Sequence, residues 1–90
     1  MAIRSGKPSP EDPASDDPDV ERVRRMVEIL KAQRLAQGLT LRQLSKSMQV
    51  DFTHISRSER GFAQPGLVIL LRWCRALGME IESLFRESKD

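Results

Sequence analysis

A run of ten residues, "DFTHISRSER" at positions 51–60, concentrates side chains that could recognise nucleic acid. Only Ile55 is a firm core candidate, so most of the run should face outward. Hydroxyl groups, an arginine fork and a helix N-terminus are the groups that contact base edges and phosphates in a DNA groove. The positions expected to be exposed near the start of the run are Phe52, Thr53, His54, Ser56 and Arg57. This composition favours contact with DNA over a role in the core.

Catalytic and metal-binding chemistry have little support in the rest of the sequence. It contains no Gly-rich phosphate loop, no nucleophile beside a base and an orienting acid, and no carboxylate pair in an apolar setting. His54 is the only histidine and has no cysteine near it, so a surface position or a DNA contact is favoured over a metal site. Cys74 falls on an apolar helix stripe, which favours a buried, unreactive thiol. We therefore expect neither an enzyme nor a bound metal or cofactor.

The charge of the 90-residue chain is divided unevenly along its length. Residues 1–19 carry two basic and five acidic side chains, a net charge of −3, together with four of the five prolines. Residues 20–90 carry 13 basic and 8 acidic side chains, a net charge of +5. Acidic, proline-rich segments bury too little apolar surface to offset the entropy of ordering. We expect a disordered tail at 1–19, a domain at 20–86 and a short C-terminal tail at 87–90.

No segment suggests export or insertion into a membrane. The N-terminal residues lack the apolar core of a secretory signal. No stretch approaches the roughly 18 consecutive apolar residues of a membrane span. The single cysteine cannot form an internal disulfide. These features favour a reducing, cytoplasmic setting without a membrane partner.

Apolar residues recur at helical spacing through the domain, and no segment alternates with the period of a strand. The sequence predicts an all-α domain with five short-linked helices. The first is capped by Asp19 and runs to about Gln37, and the fourth follows Gly66 with a core stripe of Leu67, Leu70, Leu71, Cys74 and Leu77. The others are predicted at Leu41 to about Met48 after Thr40, at Phe52 to about Arg60 after Asp51, and at about Glu80 to Arg86. The second and third helices are joined by about three residues, which is typical of a helix-turn-helix.

The segment "GLTLRQLSKSMQVDFTHISRSERGFAQP", followed by "LVILLRWCRALGMEIESLF", resembles the helix-turn-helix domain of the Xre family, which includes the Cro and phage-repressor type. The resemblance covers roughly residues 23–85. It implies a five-helix, lambda-repressor-like fold whose members bind double-stranded DNA as dimers, on two-fold symmetric operators, with the third helix in the major groove. It also implies that Phe52, Thr53, His54 and Arg57, with Ser56 beside them, lie at the reading end of that helix.

Further roles follow from the same resemblance. Arg34 and Glu59 match a structural salt bridge between the first and third helices. A phosphate contact is expected at the start of the second helix, from Thr40, Leu41 and Arg42. Apart from the resemblance, the basic side chains of Arg42, Lys46, Arg60 and Arg22 are candidates for phosphate contacts. The chain departs from the family pattern in several places: Gln49 replaces the turn glycine, Ser58 replaces an aliphatic residue, and Leu41 and Phe52 stand where many relatives are polar. Phe52 could pack on a thymine methyl or on the preceding helix.

An apolar surface is predicted near the fourth and fifth helices, because Val68 and Ile69 widen the fourth helix's stripe beyond the needs of a small core. Exposed patches of this kind usually mark an interface. A homodimer would satisfy this surface and a two-fold operator together. The alternative is extra core volume under the first helix. The residues assigned to the interface are Val68, Ile69, Trp73, Met79, Ile81 and Phe85.

The function favoured by these observations is that of a homodimeric, sequence-specific DNA-binding regulator, either a repressor or an autoregulatory switch. One alternative is an antitoxin that neutralises a toxin protein and regulates its own synthesis. A second is the controller protein of a restriction–modification system, which shares this size and a similar "ISRSERG" segment. A third, an interaction module that does not read DNA, is disfavoured by the polar third helix and the basic domain.

Overall fold

Five helices make up most of residues 17–89, the part of the chain that this computed structural model describes. They are α1 (Pro18–Ala36), α2 (Leu41–Met48), α3 (Phe52–Glu59), α4 (Leu67–Leu77) and α5 (Ile81–Glu87). Within that range there is no strand, and the predicted all-α, five-helix class is confirmed. Most of the predicted N-terminal tail, residues 1–16, lies outside the described residues.

The start of α1 differs from the prediction by two residues. Asp17, not Asp19, is the N-cap, and its carboxylate accepts a hydrogen bond from the Asp19 backbone N–H at 2.9 Å. Pro18 occupies the first helical position, where its fixed φ suits the helix and its missing N–H is not needed. The tail assigned to residues 1–19 therefore gives way to helix by residue 18.

The end of the chain is also more ordered than the sequence suggested. Glu87 belongs to α5, and Ser88 is fully buried, so the predicted tail at 87–90 was wrong at these two positions. Arg22 of α1 donates hydrogen bonds to the Ser88 hydroxyl at 3.0 Å and to the Phe85 carbonyl at 2.8 Å. Arg25 donates to the Ser88 carbonyl at 2.8 Å. The two guanidinium groups satisfy the exposed carbonyl end of α5 and tie it to α1.

The core forms where α1 and α4 meet the three short helices. α2 packs against α3 and α4, while α1 packs against α3, α4 and α5. The buried apolar side chains are Met26, Val27, Leu30, Leu44, Met48, Ile55, Leu70, Trp73, Cys74, Leu77 and Leu84. This arrangement packs the short α2 and α3 against the longer α1 and α4. Helices as short as α2 and α3 are not stable in isolation, so they depend on this packing.

The inward face of α4 is rotated from the predicted one. Leu67 and Leu71, assigned to the core stripe, are 61% and 46% exposed. Trp73, assigned to the dimer surface, is fully buried and fills the centre of the core instead. The helix is apolar on almost every side, so spacing alone could not decide which stripe faces inward. The ring of Trp73, the largest side chain available, takes the inward position because it buries the most apolar area.

The turn between α2 and α3 depends on a residue in an unfavourable backbone conformation. Gln49 has φ 57° and ψ 44°, the left-handed region, and among residues 17–89 it is the one non-glycine residue with positive φ. This conformation closes α2, with the Gln49 N–H bonded to the Lys46 carbonyl and the Val50 N–H to that of Ser45. A side chain with a Cβ is strained there by about 1–2 kcal/mol relative to glycine.

Replacing Gln49 by glycine is therefore expected to raise the free energy of unfolding by about 0.5–1 kcal/mol, because relief of strain exceeds the added entropy of the unfolded chain. Urea denaturation followed by Trp73 fluorescence measures the change. Gln49→Ala is the matched control, because it keeps the Cβ and should give no gain. Equal effects from glycine and alanine would contradict the strain argument.

Candidate nucleic-acid interface

Helices α2 and α3 form the helix-turn-helix unit, and α3 turns its least apolar side outward. Ile55, Ser58 and Glu59 face the interior and are buried. On the opposite side, Thr53, Arg57 and Arg60 are exposed and Ser56 is half-buried. These four positions follow the spacing i, i+3, i+4 and i+7, which places them in one stripe along a helix. The stripe is long enough to lie along a groove.

A buried ion pair fixes the position of α3 relative to α1. The Arg34 guanidinium donates through Nε to Glu59 Oε2 at 2.8 Å and through Nη2 to Oε1 at 3.0 Å. Its Nη1 donates to the Leu39 carbonyl at 2.7 Å. The side chains are 10% and 4% exposed. One arginine thus joins α1, the connection into α2, and the end of α3, with the geometry of a bidentate fork.

The N-terminal end of α2 lies beside this unit and has a complete capping box. Thr40 Oγ1 accepts from the Gln43 N–H at 3.0 Å, and Gln43 Oε1 accepts from the Thr40 N–H at 2.9 Å. Leu41 and Arg42 occupy the first helical turn, the positive end of the helix dipole. Lys46, one turn later, is exposed. This end of α2 suits an anion such as a phosphate.

Two arginine–phenylalanine stacks lie on or beside the exposed stripe. The Arg42 guanidinium carbon lies 4.5 Å from the centroid of the Phe52 ring, and that of Arg60 lies 5.6 Å from the centroid of Phe62. Stacking of this kind contributes about 0.5–1 kcal/mol at exposed sites. Phe52 therefore packs against the preceding helix, through Arg42. Each contact favours a position of its guanidinium group beside the aromatic ring.

Arg57 also has an internal contact. Its Nη2 donates to the Phe62 carbonyl at 3.1 Å, and its own carbonyl accepts from the Phe62 N–H at 2.9 Å. The loop after α3 thus supports the side chain at the centre of the stripe. Sequence reasoning did not identify Phe62 as part of this surface. Its one available signal was an aromatic residue in a polar loop, five positions after Arg57.

The remaining predicted site residues fall in different places. His54 is half-buried on the flank of α3, and no group of three or more candidate metal ligands occurs among residues 17–89. Arg22, an additional candidate for a phosphate contact, is engaged with α5 instead. Cys74 is a free, buried thiol. Burial raises the pKa of this thiol, and the negative charge of the nearby Glu80 carboxylate raises it further. A thiol held protonated in this way is a poor nucleophile.

Ser58 is an unusual residue for its position in α3. It is 1% exposed, and its hydroxyl finds no hydrogen-bond partner within residues 17–89. A buried hydroxyl without a partner loses its hydration without compensation. Ser58, which replaces the aliphatic residue of the family pattern, therefore holds α3 against the core less strongly than an aliphatic side chain would.

Ser58→Ala should raise the free energy of unfolding by about 1 kcal/mol, because it removes the uncompensated hydroxyl. Thermal or urea denaturation measures the difference. Ser56→Ala is the matched control, since Ser56 is half-buried on the same helix and reports helix propensity alone. A gain at Ser58 no larger than the gain at Ser56 would contradict this explanation.

Comparison with known proteins agrees with this geometry. A family model described as "Helix-turn-helix" matches residues 30–84, from the middle of α1 into α5. The chain belongs to this helix-turn-helix family. The resemblance to the Xre type seen in the sequence is confirmed. The helix-turn-helix match includes the whole of α2, α3 and α4, and therefore the ion pair, the turn and the exposed stripe.

Two curated relatives of this helix-turn-helix chain share the same description. Each is the transcriptional regulator ClgR of Mycobacterium tuberculosis, from strains CDC 1551 and H37Rv, and each is 37% identical over 60 residues. The aligned region covers 66% of this chain and 54% of each relative, so the chain spans about half the length of the curated relatives it matches. No solved structure matches the chain. No helix among residues 17–89 is long and apolar enough to cross a membrane.

Proposed function

We propose that this protein is a cytoplasmic, DNA-binding transcriptional regulator that acts as a homodimer on a two-fold symmetric site, as a repressor or an autoregulatory switch. The observation that carries the proposal is the exposed polar and basic stripe of α3, held rigidly by the buried pair Arg34–Glu59. The family match and the transcriptional regulators similar to the chain support the same function.

The arrangement of charges suits a nucleic acid backbone as well as its bases. Arg42, Lys46, Arg57 and Arg60 are exposed on α2 and α3. The nearby carboxylate of Glu59 is buried and already paired, so it does not oppose an approaching phosphate. With α3 in the major groove, the N-terminal end of α2 would meet the phosphate backbone, as in other helix-turn-helix proteins. Binding of this kind weakens steeply as salt concentration rises.

The surface proposed for dimerisation is the groove between α4 and α5. It is lined in part by Val68, Leu71, Met79 and Ile81, of which Val68 is 61% exposed. Ile69 and Phe85 remain at least partly accessible, whereas Trp73 is no longer a candidate because it is buried. A two-fold dimer would present two copies of α3 to half-sites about 34 Å apart.

Selection from a random duplex DNA pool tests the proposal. The selected site and a scrambled duplex are then compared by fluorescence anisotropy across a salt series. We expect a palindromic site, preferred by about a thousandfold over scrambled DNA. Equal, weak binding to both duplexes would overturn the proposal and favour a protein partner, such as the toxin of the antitoxin alternative.

Arg57 should carry part of the sequence preference. A guanidinium bidentate to a guanine contributes about 1–3 kcal/mol of discrimination. Arg57→Ala is therefore expected to weaken binding to the selected site by about tenfold or more, with little change on scrambled DNA. Lys46→Ala is the control, because loss of a phosphate contact weakens binding to both duplexes alike. A small, uniform loss in the Arg57 variant would count against base reading.

A further inference from the structure

The junction between α2 and α3 combines an aromatic ring with a guanidinium group at the start of the proposed reading helix. Phe52 is the first residue of α3 and is half-buried, so part of its ring stays open to solvent. Arg42 is exposed in the first turn of α2, and its guanidinium carbon lies 4.5 Å from the ring centroid. The two side chains therefore form one composite surface.

The open part of the ring suits an apolar group on the DNA. Neither the backbone of the groove wall nor most base edges offer an apolar partner. The exception in the major groove is the methyl group at C5 of a pyrimidine, which apolar side chains contact directly. Phe52 lies at the N-terminal end of the proposed reading helix and is only partly buried, so the exposed part of its ring can make that contact.

The guanidinium group of Arg42 is the second part of this surface and could bind a guanine base. The Arg42 guanidinium carbon lies over the Phe52 ring, and the side chain is exposed, so its N–H groups can reach an acceptor on the DNA. Guanine presents two acceptors, O6 and N7, at the spacing of an arginine fork. Because the ring and the fork are in contact, the bases that they meet must be neighbours along the DNA.

We propose that the Arg42–Phe52 pair reads a two-base step, a 5-methylpyrimidine beside a guanine. This rests on the proposed function, since it requires α3 to enter the major groove. It replaces the separate roles expected from the sequence, in which Arg42 contacts a phosphate. The shared chemistry is the pyrimidine 5-methyl group, which thymine and 5-methylcytosine both carry.

The test begins with the selected duplex and removes one methyl group at a time. Each thymine is replaced in turn by uracil, symmetrically in both half-sites, and the dissociation constant is measured by anisotropy. Loss of a buried methyl contact weakens binding about fourfold, and about fifteenfold when both half-sites are changed. We expect this loss at one thymine, and we expect the Phe52→Gln variant to bind the thymine and uracil duplexes equally.

Two further duplex substitutions separate the sources of the methyl group. If the selected site has cytosine at this step, its replacement by 5-methylcytosine should strengthen binding by a similar factor. If the selected site has thymine at this step, the thymine is replaced once by 5-methylcytosine and once by cytosine, each paired with guanine. The duplex with 5-methylcytosine should then bind more tightly than the duplex with cytosine. Absence of any methyl effect at every pyrimidine of the site would overturn the proposal.

Variants of the protein distinguish this role from simple packing or charge. Arg42→Lys keeps the charge, so a phosphate contact would leave sequence preference unchanged. We expect it instead to reduce discrimination at the adjacent guanine by about fivefold or more, with an unchanged salt dependence. Phe62→Gln is the matched control, since it removes the other arginine–phenylalanine stack and should leave the methyl effect intact. Circular dichroism establishes that each variant is folded.

The outcomes separate the two proposals. A preferred palindromic site without a methyl effect, or with a methyl effect unchanged in Phe52→Gln, overturns the role of the pair and leaves the regulator intact. Failure of the pool to yield any preferred site overturns both. A methyl effect that disappears in Phe52→Gln, and persists in Phe62→Gln, supports the pair as the reader of this step.

Discussion

Replacing Glu59 by alanine should lower the free energy of unfolding by about 3–5 kcal/mol, because it leaves the buried Arg34 guanidinium without its bidentate partner. Arg34 is 8% exposed and Glu59 is 5% exposed, so water can replace the lost carboxylate only in part. Small domains have about 5–15 kcal/mol of total stability. The loss would therefore remove a substantial part of it. Urea denaturation at low temperature, followed by the fluorescence of buried Trp73, measures the loss.

A double substitution serves as the control for this prediction. Arg34→Met together with Glu59→Leu removes both charges and replaces them with apolar side chains, which is often neutral or stabilising for a buried pair. We expect most of the stability lost in Glu59→Ala to return. A Glu59→Ala variant within about 1 kcal/mol of the parent would show that the pair is well hydrated, contrary to its small exposure.

In the proposed homodimer, Leu71→Glu should abolish high-affinity binding to the site selected from the random pool. Leu71 is 46% exposed and belongs to the apolar part of the groove between α4 and α5, so burying a charge there opposes pairing through that part without disturbing the core. A monomer that meets only one half-site loses about a thousandfold or more in affinity, comparable to the whole specific preference of such proteins. Sedimentation velocity measures the oligomeric state, and anisotropy measures the affinity.

Leu35→Glu is the matched control for the dimer surface. Leu35 is 58% exposed on α1, outside the groove that contains Leu71. The same substitution at this position should leave both the oligomeric state and DNA affinity near those of the parent. If Leu71→Glu remained dimeric and bound the palindrome normally, the dimer would have to form through another surface.

The elements that the sequence predicted well were those with strong local signals. The bounds of α2 and α4 agree with the prediction, because α2 has a Thr40–Gln43 capping box and α4 ends at Gly78. The five-helix order and the family follow from such signals together with the spacing of apolar residues. Local chemistry of this kind acts within a few residues, so it can be recognised without the tertiary structure.

The features that the sequence could not predict depend on distant contacts. Leu71 and Trp73 are both apolar residues on α4, and only the helices packed around α4 decide that the first is exposed and the second buried. The interaction of Arg22 with Ser88 joins residues 66 positions apart. The Arg42–Phe52 stack depends on the crossing of α2 and α3. None of these has a signature in residue spacing.

The end of α5 is connected to the rest of the domain in a way that constrains how DNA could be recognised. α1 binds α5 through Arg22 and Arg25, and it binds α3 through Arg34. In the proposed dimer, the helix that supports the pairing surface is therefore the same helix that supports the reading helix. The distance between the two reading helices is then set by the protein and changes little. An operator whose half-sites are slightly too close or too far apart must twist or bend to fit, and the stiffness of its central base pairs would contribute to specificity although no side chain contacts them.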